Sequence, residues 1–492
     1  MKLQPFTVLL AITAANATKI NPLHIKRQAT ASSSVSTATS ATVAASSVSS
    51  SSGTSATSSS TTGISTGTTT AVGAPASATW GTSYPPLSQI SSGMPSEVTQ
   101  AVTTTYTAGA SPTYYSGADP LPTPSSQILI PVVFNAADWP AQDKLPDTSS
   151  SEVQEWMEEL DGWDIPDLSP TVDGTCVSDP ANVANASARG WWTCGGYTRD
   201  TDITVCPGKP MTWGTSFDDG PAFYTTKLLH FLNEQNIKAT FFDVGSRCIE
   251  NPNVLIDEYM SGHEIAVHTW SHPHLTTLTT EQIVAELGWT RKAIKTILGV
   301  TPTTMRPPYG DIDDRVRAIS LAMGMVPIIW TRTPSGVSFD TFDWEIPGGV
   351  VTSEASFSQF EGILGNASTL EDGFIVLEHD LYEQTVDMAI GYTLPAALNH
   401  NPPFTLEPIG QCNGIPYTNM YVESNLNTSF PIANGTSDGG IDTDGDGTGD
   451  AKSKNSTSSA STSSNGGSTQ HTSLSIFAMP LLATLAALVV AL

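Results

Sequence analysis

From Ala31 to Ala118 the chain is almost wholly Ser, Thr, Ala, Gly and Pro, and Glu97 is its only charge. Such a stretch holds too little apolar surface to offset the entropy of ordering it. A second polar tract runs from about Asn434 to Ser473. The chain has 492 residues, but these tracts confine apolar periodicity to roughly residues 150–415. The first tract suits an O-glycosylated stalk over residues 29–118, and the second a Ser/Thr/Gly/Asp-rich tail over 416–473. Within the tail, Asp442-Thr-Asp-Gly-Asp-Gly-Thr-Gly-Asp450 copies the start of a calcium loop, but Ser453 stands where the bidentate Glu belongs and no apolar helices flank it. It reads as a solvated acidic spacer.

The two ends carry targeting patterns. Met1-Lys2, the apolar run Phe6–Ala15 and Ala-Asn-Ala at 15–17 read as a signal peptide over residues 1–17. Lys26-Arg27 offers a dibasic processing site, which makes residues 18–28 a propeptide. Leu474–Leu492 is apolar with no basic residue after it. It follows a short polar spacer and the small residues Ser464-Asn465-Gly466-Gly467, an order that fits a glycosylphosphatidylinositol (GPI) signal with attachment at Asn465 and a tail, 474–492, that is removed. The expectation is a secreted protein tethered to the plasma membrane by the lipid, to the wall through glucan on the GPI remnant, or to both. Sequons at Asn185, Asn366, Asn427, Asn434 and Asn455 agree with that route. A net charge of −27 argues against nucleic acid, and a monomer is expected. The five cysteines allow up to two bridges and leave one thiol over. Cys206 and Cys412 flank the core and are the expected pair.

Between these ends, helical and strand patterns alternate. Residues 152–160 read as a short amphipathic helix. Phe223–Asn236, Pro252–Ser261, Thr280–Gly299 and Asp314–Met323 are helical by spacing. Ala239–Val244, Glu264–His268, Val326–Trp330 and Phe374–Leu377 read as strands. Alternation of this kind predicts a parallel α/β sheet or barrel, with chemistry at the C-terminal ends of the strands.

Each polar cluster falls at such an end. The run Met211–Trp213 leads to Asp218-Asp219-Gly220-Pro221, where one carboxylate can ligate a metal while its neighbour serves as a base. His268-Thr-Trp-Ser-His272 places two imidazoles four residues apart, and on one helical turn they would share a face and bind one ion. Asp219 would complete a two-His, one-carboxylate set suited to one divalent metal, zinc or cobalt. His263 and His274 read as structural or solvated. Arg306-Pro-Pro-Tyr-Gly310 offers a guanidinium to a carboxylate, Asp340-Thr-Phe-Asp343-Trp344 sets an acid beside an indole, and Leu377-Glu-His379 puts an imidazole past a buried strand.

Taken in this order, Thr215–Pro221, His268–His272, Arg306–Gly310, Asp340–Trp344 and Leu377–His379 resemble the five motifs of the NodB-type polysaccharide deacetylases, carbohydrate esterase family four. The stalk and anchor make the chain look like the fungal cell-wall chitin deacetylases of that family. The resemblance implies a distorted (β/α) barrel over 201–415, with 119–200 packed on it as an extension. It also implies metal-dependent removal of acetyl groups from the N-acetylglucosamine units of chitin. By the same resemblance Asp219, His268 and His272 hold the metal, Asp218 is the base oriented by Arg306, and His379 is the acid supported by Asp343. Tyr309 lends its N–H to the oxyanion, while Trp344 and Leu377 wall the acetyl pocket. Ser216 and Val267 depart from the family pattern, which usually has Thr directly before Phe217 and often Asn before His268. A non-catalytic chitin-binding mannoprotein and an O-acetyl esterase acting on another polysaccharide are the rival readings.

Overall fold

The computed structural model describes residues 84–93 and 134–425. Its strands are β1 (Val205–Cys206), β2 (Thr212–Gly214), β3 (Ser216–Asp218), β4 (Thr240–Asp243), β5 (Glu264–Val267), β6 (Thr304–Met305), β7 (Val326–Pro327), β8 (Gly373–Ile375) and β9 (Thr405–Glu407). Strands β3 to β7 lie side by side in sequence order, all parallel. A second sheet runs β1-β8-β2-β9, with only the β1–β8 pair antiparallel.

Backbone hydrogen bonds close these sheets into one distorted barrel. Beyond β7, Thr331 N–H reaches Ile375 O at 3.0 Å. Beyond β8, Glu378 O accepts from Asp218 N–H at 2.9 Å, and Asp218 pairs with His379. Strand β3 therefore meets β4 on one side and the residues after β8 on the other. That seam brings the ends of two distant motifs to the same place.

The interior follows from strands buried on both faces. Phe217, Phe241, Phe242, Ile265, Val267, Met305 and Ile375 are fully buried. Helices cover the outside. The longest, Thr280–Leu298, starts with a reciprocal capping box between Thr279 and Gln282 and ends on left-handed Gly299. Of the region 119–200, the described part lies against the barrel through Val153, Trp191 and Trp192, all buried. Trp156 packs directly over Gly288, where a Cβ would meet the ring. Cys206 bridges Cys412, the pair expected from sequence, Cys176 bridges Cys194, and Cys248 is the buried free thiol.

Two boundaries move. Within the stretch read as an unstructured stalk, Tyr84–Gly93 holds a 3-10 turn at Leu87–Gln89 and buries Ile90. Past 415, where the tail was expected to start, Tyr417, Met420 and Tyr421 are buried, and Tyr421 pairs with Pro302. Sparse apolar residues in polar sequence suffice when each fills a ready-made pocket. The signal peptide, the tail beyond 425, the calcium-like loop, Asn427, Asn434, Asn455 and Asn465 lie outside the described residues. Asn185 and Asn366 are both exposed. Among the described residues no helix is long and apolar enough to cross a membrane.

Candidate active site

Asp219 has a left-handed backbone (φ 81°), which turns its side chain away from the strand direction Asp218 follows. Two neighbouring carboxylates thus acquire different surroundings. Asp219 Oδ1 lies 3.1 Å from His272 Nε2 and 3.5 Å from His268 Nε2. Candidate ligand atoms of the three side chains all fall within 4.8 Å of one another.

The histidine pair is not on a helical turn. Strand β5 ends at Val267, and the loop after it has left-handed residues at Thr269 (φ 65°) and His272 (φ 58°). This bent path, not a 3.6-residue period, brings the two rings to 4.9 Å. Buried Glu286 holds the bend by accepting from the N–H groups of Trp270 (2.7 Å) and Ser271 (2.8 Å) and from the Ser271 hydroxyl (2.6 Å).

These residues fit one divalent cation. Asp219 Oδ1 is buried and, among the described residues, its closest basic neighbours are the Nε2 atoms of His272 and His268, a costly state for an anionic oxygen that lacks a cation. His268 Nδ1 is 2.8 Å from the Arg306 carbonyl, which fixes that nitrogen as the donor and leaves Nε2 with a lone pair facing Asp219. Burial and then His272 push the His268 pKa well down, so the ring stays neutral, as a ligand must. Burial opposes ionisation of Asp219, but His272 and Arg247 hold its carboxyl well below the usual range.

Asp218 sits in the other environment. Arg306 Nη1 donates to its Oδ1 at 2.6 Å, in a pocket where both side chains are buried. Burial raises the Asp218 pKa, and Arg306 pulls it back toward ionisation. Arg306 is itself fixed by the Phe242 ring, 4.0 Å from its guanidinium carbon, and by Ser216 Oγ at 3.1 Å. The departure at Ser216 thus supplies a further contact to the arginine.

His379 enters beside Asp218 through their backbone pairing. Its Nδ1 is 2.7 Å from Asp343 Oδ1, and its backbone N–H donates to Asp343 Oδ2 at 2.9 Å. Burial works against the imidazolium, but Asp343 outweighs it and raises the pKa to about 10. With Nδ1–H directed to Asp343, Nε2 is the nitrogen left to exchange a proton.

Tyr309 is left-handed (φ 61°). Its turn is closed by bonds from Gly310 N–H to Pro307 O and from Asp311 N–H to Pro308 O, which leaves the Tyr309 N–H out of the turn. Its ring is 49 % exposed and stacks on His274 with centroids 3.9 Å apart. His274, read from sequence as structural or solvated, is thus a wall of the site's rim. Trp344 is 45 % exposed, whereas Leu377 is buried two residues past β8, where it pairs with Asp340.

Three participants were not visible in sequence. Arg247 donates to the Asp219 carbonyl at 2.7 Å. Glu286 is signalled only as an acid on the buried face of a helix. Asp380 accepts from Thr225 Oγ1 at 2.5 Å, and its partner is many residues away.

The fold and this site define a hydrolase-type β/α barrel, with a buried carboxylate–guanidinium pair and a buried imidazole–carboxylate pair beside three side chains that could hold one divalent ion. Residues 206–328 match the family model for polysaccharide deacetylase. The chain is 49 % identical over 352 residues to chitin deacetylase 1 of Cryptococcus neoformans var. grubii, covering 70 % of this chain and 72 % of that one. It is 35 % identical over 308 residues to chitin deacetylase 2 of the same organism, covering 60 % and 64 %. A solved chitin deacetylase from Colletotrichum lindemuthianum aligns at 26 % identity with a TM-score of 0.41, covering 47 % of this chain and 99 % of that one. The chain belongs to the polysaccharide deacetylase family.

Proposed function

We propose that this chain hydrolyses the N-acetyl groups of N-acetylglucosamine units in chitin, giving chitosan and acetate. The observation that carries this reading is the pair of charge-coupled groups, Asp218 with Arg306 and His379 with Asp343, beside the Asp219–His268–His272 cluster. The names of the two Cryptococcus relatives support the choice of polymer.

An amide carbonyl resists neutral water, and its nitrogen leaves poorly unless protonated. Asp219, His268 and His272 would hold one divalent ion, zinc or cobalt by their nitrogen and oxygen donors, and such an ion would make water more acidic and polarise a carbonyl oxygen. Asp218 takes the proton of the attacking water, with Arg306 holding its carboxylate in place. His379 delivers a proton from Nε2 to the amide nitrogen as the C–N bond breaks, and Asp343 stabilises the imidazolium. Each such proton transfer typically contributes about 10²- to 10⁴-fold. The Tyr309 N–H faces the oxygen that gains charge, and Trp344 and Leu377 border the acetyl methyl.

Beyond the site itself, the sequence patterns support secretion, N-glycans at the five sequons, a GPI link near Asn465 and tethering to membrane or wall glucan, and a monomer is the proposed working form. The test is acetate release from N-acetylglucosamine oligomers by the full secreted chain, with zinc, with chelator, and as Asp218→Asn. Release that needs both metal and Asp218 supports the reading. Release only from O-acetylated xylan overturns it in favour of an esterase. Oligomer binding without any release overturns it in favour of a wall-binding protein.

A further inference from the structure

Residues 84–92 are attached to the barrel at one place, and that place is behind the catalytic acid. Ile90 is 1 % exposed and packs with Ile346 and Met388, with Leu87, Phe357 and Tyr392 around them. Ile346 directly follows the 3-10 turn Asp343–Glu345, and Met388 ends the helix Glu383–Met388 that begins four residues after His379. The wedge thus fills the gap between the element carrying Asp343 and the element that follows His379.

The attachment is specific along its length. Ser353 Oγ donates to Leu87 O at 2.5 Å, Tyr392 Oη to Pro85 O at 2.8 Å, and Gln384 Nε2 to Ser91 O at 3.3 Å. Opposite Tyr84 the chain has Gly391, whose added Cβ would lie 3.1 Å from the Tyr84 side chain. Three backbone carbonyls of a segment drawn from a polar tract therefore have side-chain donors waiting on the barrel. Loose adhesion of a linker does not require such a set.

We propose that residues 84–92 are a positioning segment acting in cis. Ile90 keeps the Asp343–Glu345 turn and the helix after His379 at the separation that lets Asp343 hold the imidazole. No residue of the segment reaches the reacting atoms; it acts through Asp343 and His379. The inference rests on the acid role given to His379 above, and its test keeps the two separable.

The experiment uses the full secreted chain. Ile90→Ser and Ser353→Ala are compared with Ile90→Val and wild type for kcat, KM and the pH profile of acetate release. A displaced acid costs about tenfold in kcat with little change in KM. It also moves the alkaline limb of the profile to lower pH, because Asp343 then supports the imidazolium less well, and Ile90→Val restores both. A segment that only stabilises the fold would lower Tm and leave kcat and the limb unchanged, which overturns the proposal. Should Ile90→Ser fail to fold, a protease site placed between residues 94 and 133 allows the folded wild-type chain to be cut. Addition of a peptide of residues 83–93 should then restore kcat in proportion to occupancy, and no dependence on the peptide overturns the proposal. If the uncut chain releases no acetate, the deacetylase reading fails, and amide exchange decides the positioning claim. Faster exchange at residues 343–346 and 383–388 in the cut chain supports it, and unchanged exchange overturns it.

Discussion

Asp343 holds His379 twice: Oδ1 at 2.7 Å from the ring Nδ1, and Oδ2 accepting the backbone N–H at 2.9 Å. One carboxylate thereby sets both the ring's tautomer and the position of its backbone. The raised pKa, about 10, means that the acid form is present at neutral pH and is lost as pH rises through that value. Acetate release should therefore have an alkaline limb. Asp343→Asn removes the charge while keeping the shape, so the limb should move to lower pH and kcat fall by about 10²-fold. A pH–kcat profile with an unmoved limb would separate the limb from this pair.

The neighbouring acids Asp218 and Asp219 should separate metal from chemistry. Asp219→Ala removes one of the three proposed ligands, so purified protein should lose its divalent ion and its activity together. Asp218→Asn leaves the ligand set intact. It should keep metal by elemental analysis and still lose acetate release by about 10²- to 10⁴-fold. Chelator followed by zinc should restore wild type only. Loss of metal in Asp218→Asn would mean that the two carboxylates are not divided in the way their surroundings imply.

Much of this site was legible in the sequence because residue type and order carry it. The paired acids lie at the end of β3 and His268 follows β5, as alternation of strands and helices predicts, whereas Asp343 lies in a 3-10 turn and not at the end of a named strand. What was not legible depends on the third dimension. His268 and His272 share a site through two left-handed residues, and a helical period gives the right partners by the wrong path. Glu286 and Arg247 act on residues that reach them only after folding. Ile90 hides in a tract whose composition predicts no structure, since one isoleucine among serines carries no period. Tyr421 was missed for the same reason: its pocket is built by Ile265 and Tyr259, far upstream.

Buried carboxyl groups predict how stability changes with pH. Burial raises Glu264 to about 7 and Glu378 to about 8 from an ordinary 4.5. In both, the folded state holds a proton that the unfolded chain releases at lower pH. Their contribution is complete below about 4.5 and is lost as pH rises through about 7 to 8. Tm should therefore fall between pH 5 and pH 9, measured in the presence of the metal. Glu378→Gln, which has no proton to lose, should flatten part of that slope. A Tm that climbs across the interval would show that these acids are ionised in the fold.

The Cys206–Cys412 bridge takes no part in the contacts that hold the site residues, and that independence makes a further prediction. Cys206 is in β1 and Cys412 ends the short helix Ile409–Cys412, and both sulfurs lie beside Gly214, the last residue of β2. The bridge spans 206 residues. In the chain-entropy picture a loop of that length is worth roughly 5 kcal/mol, because an unbridged unfolded chain has many more conformations. Cys206→Ala with Cys412→Ala should therefore lower Tm sharply. The site's own contacts, Arg306 to Asp218 and Asp343 to His379, include neither cysteine, so kcat per folded molecule at low temperature should remain near wild type. Metal content should follow kcat and not Tm. Active-site titration of the double variant below its melting transition distinguishes the two. A drop in kcat per active site would show that strain at the β1 end is transmitted along β3 to Asp218.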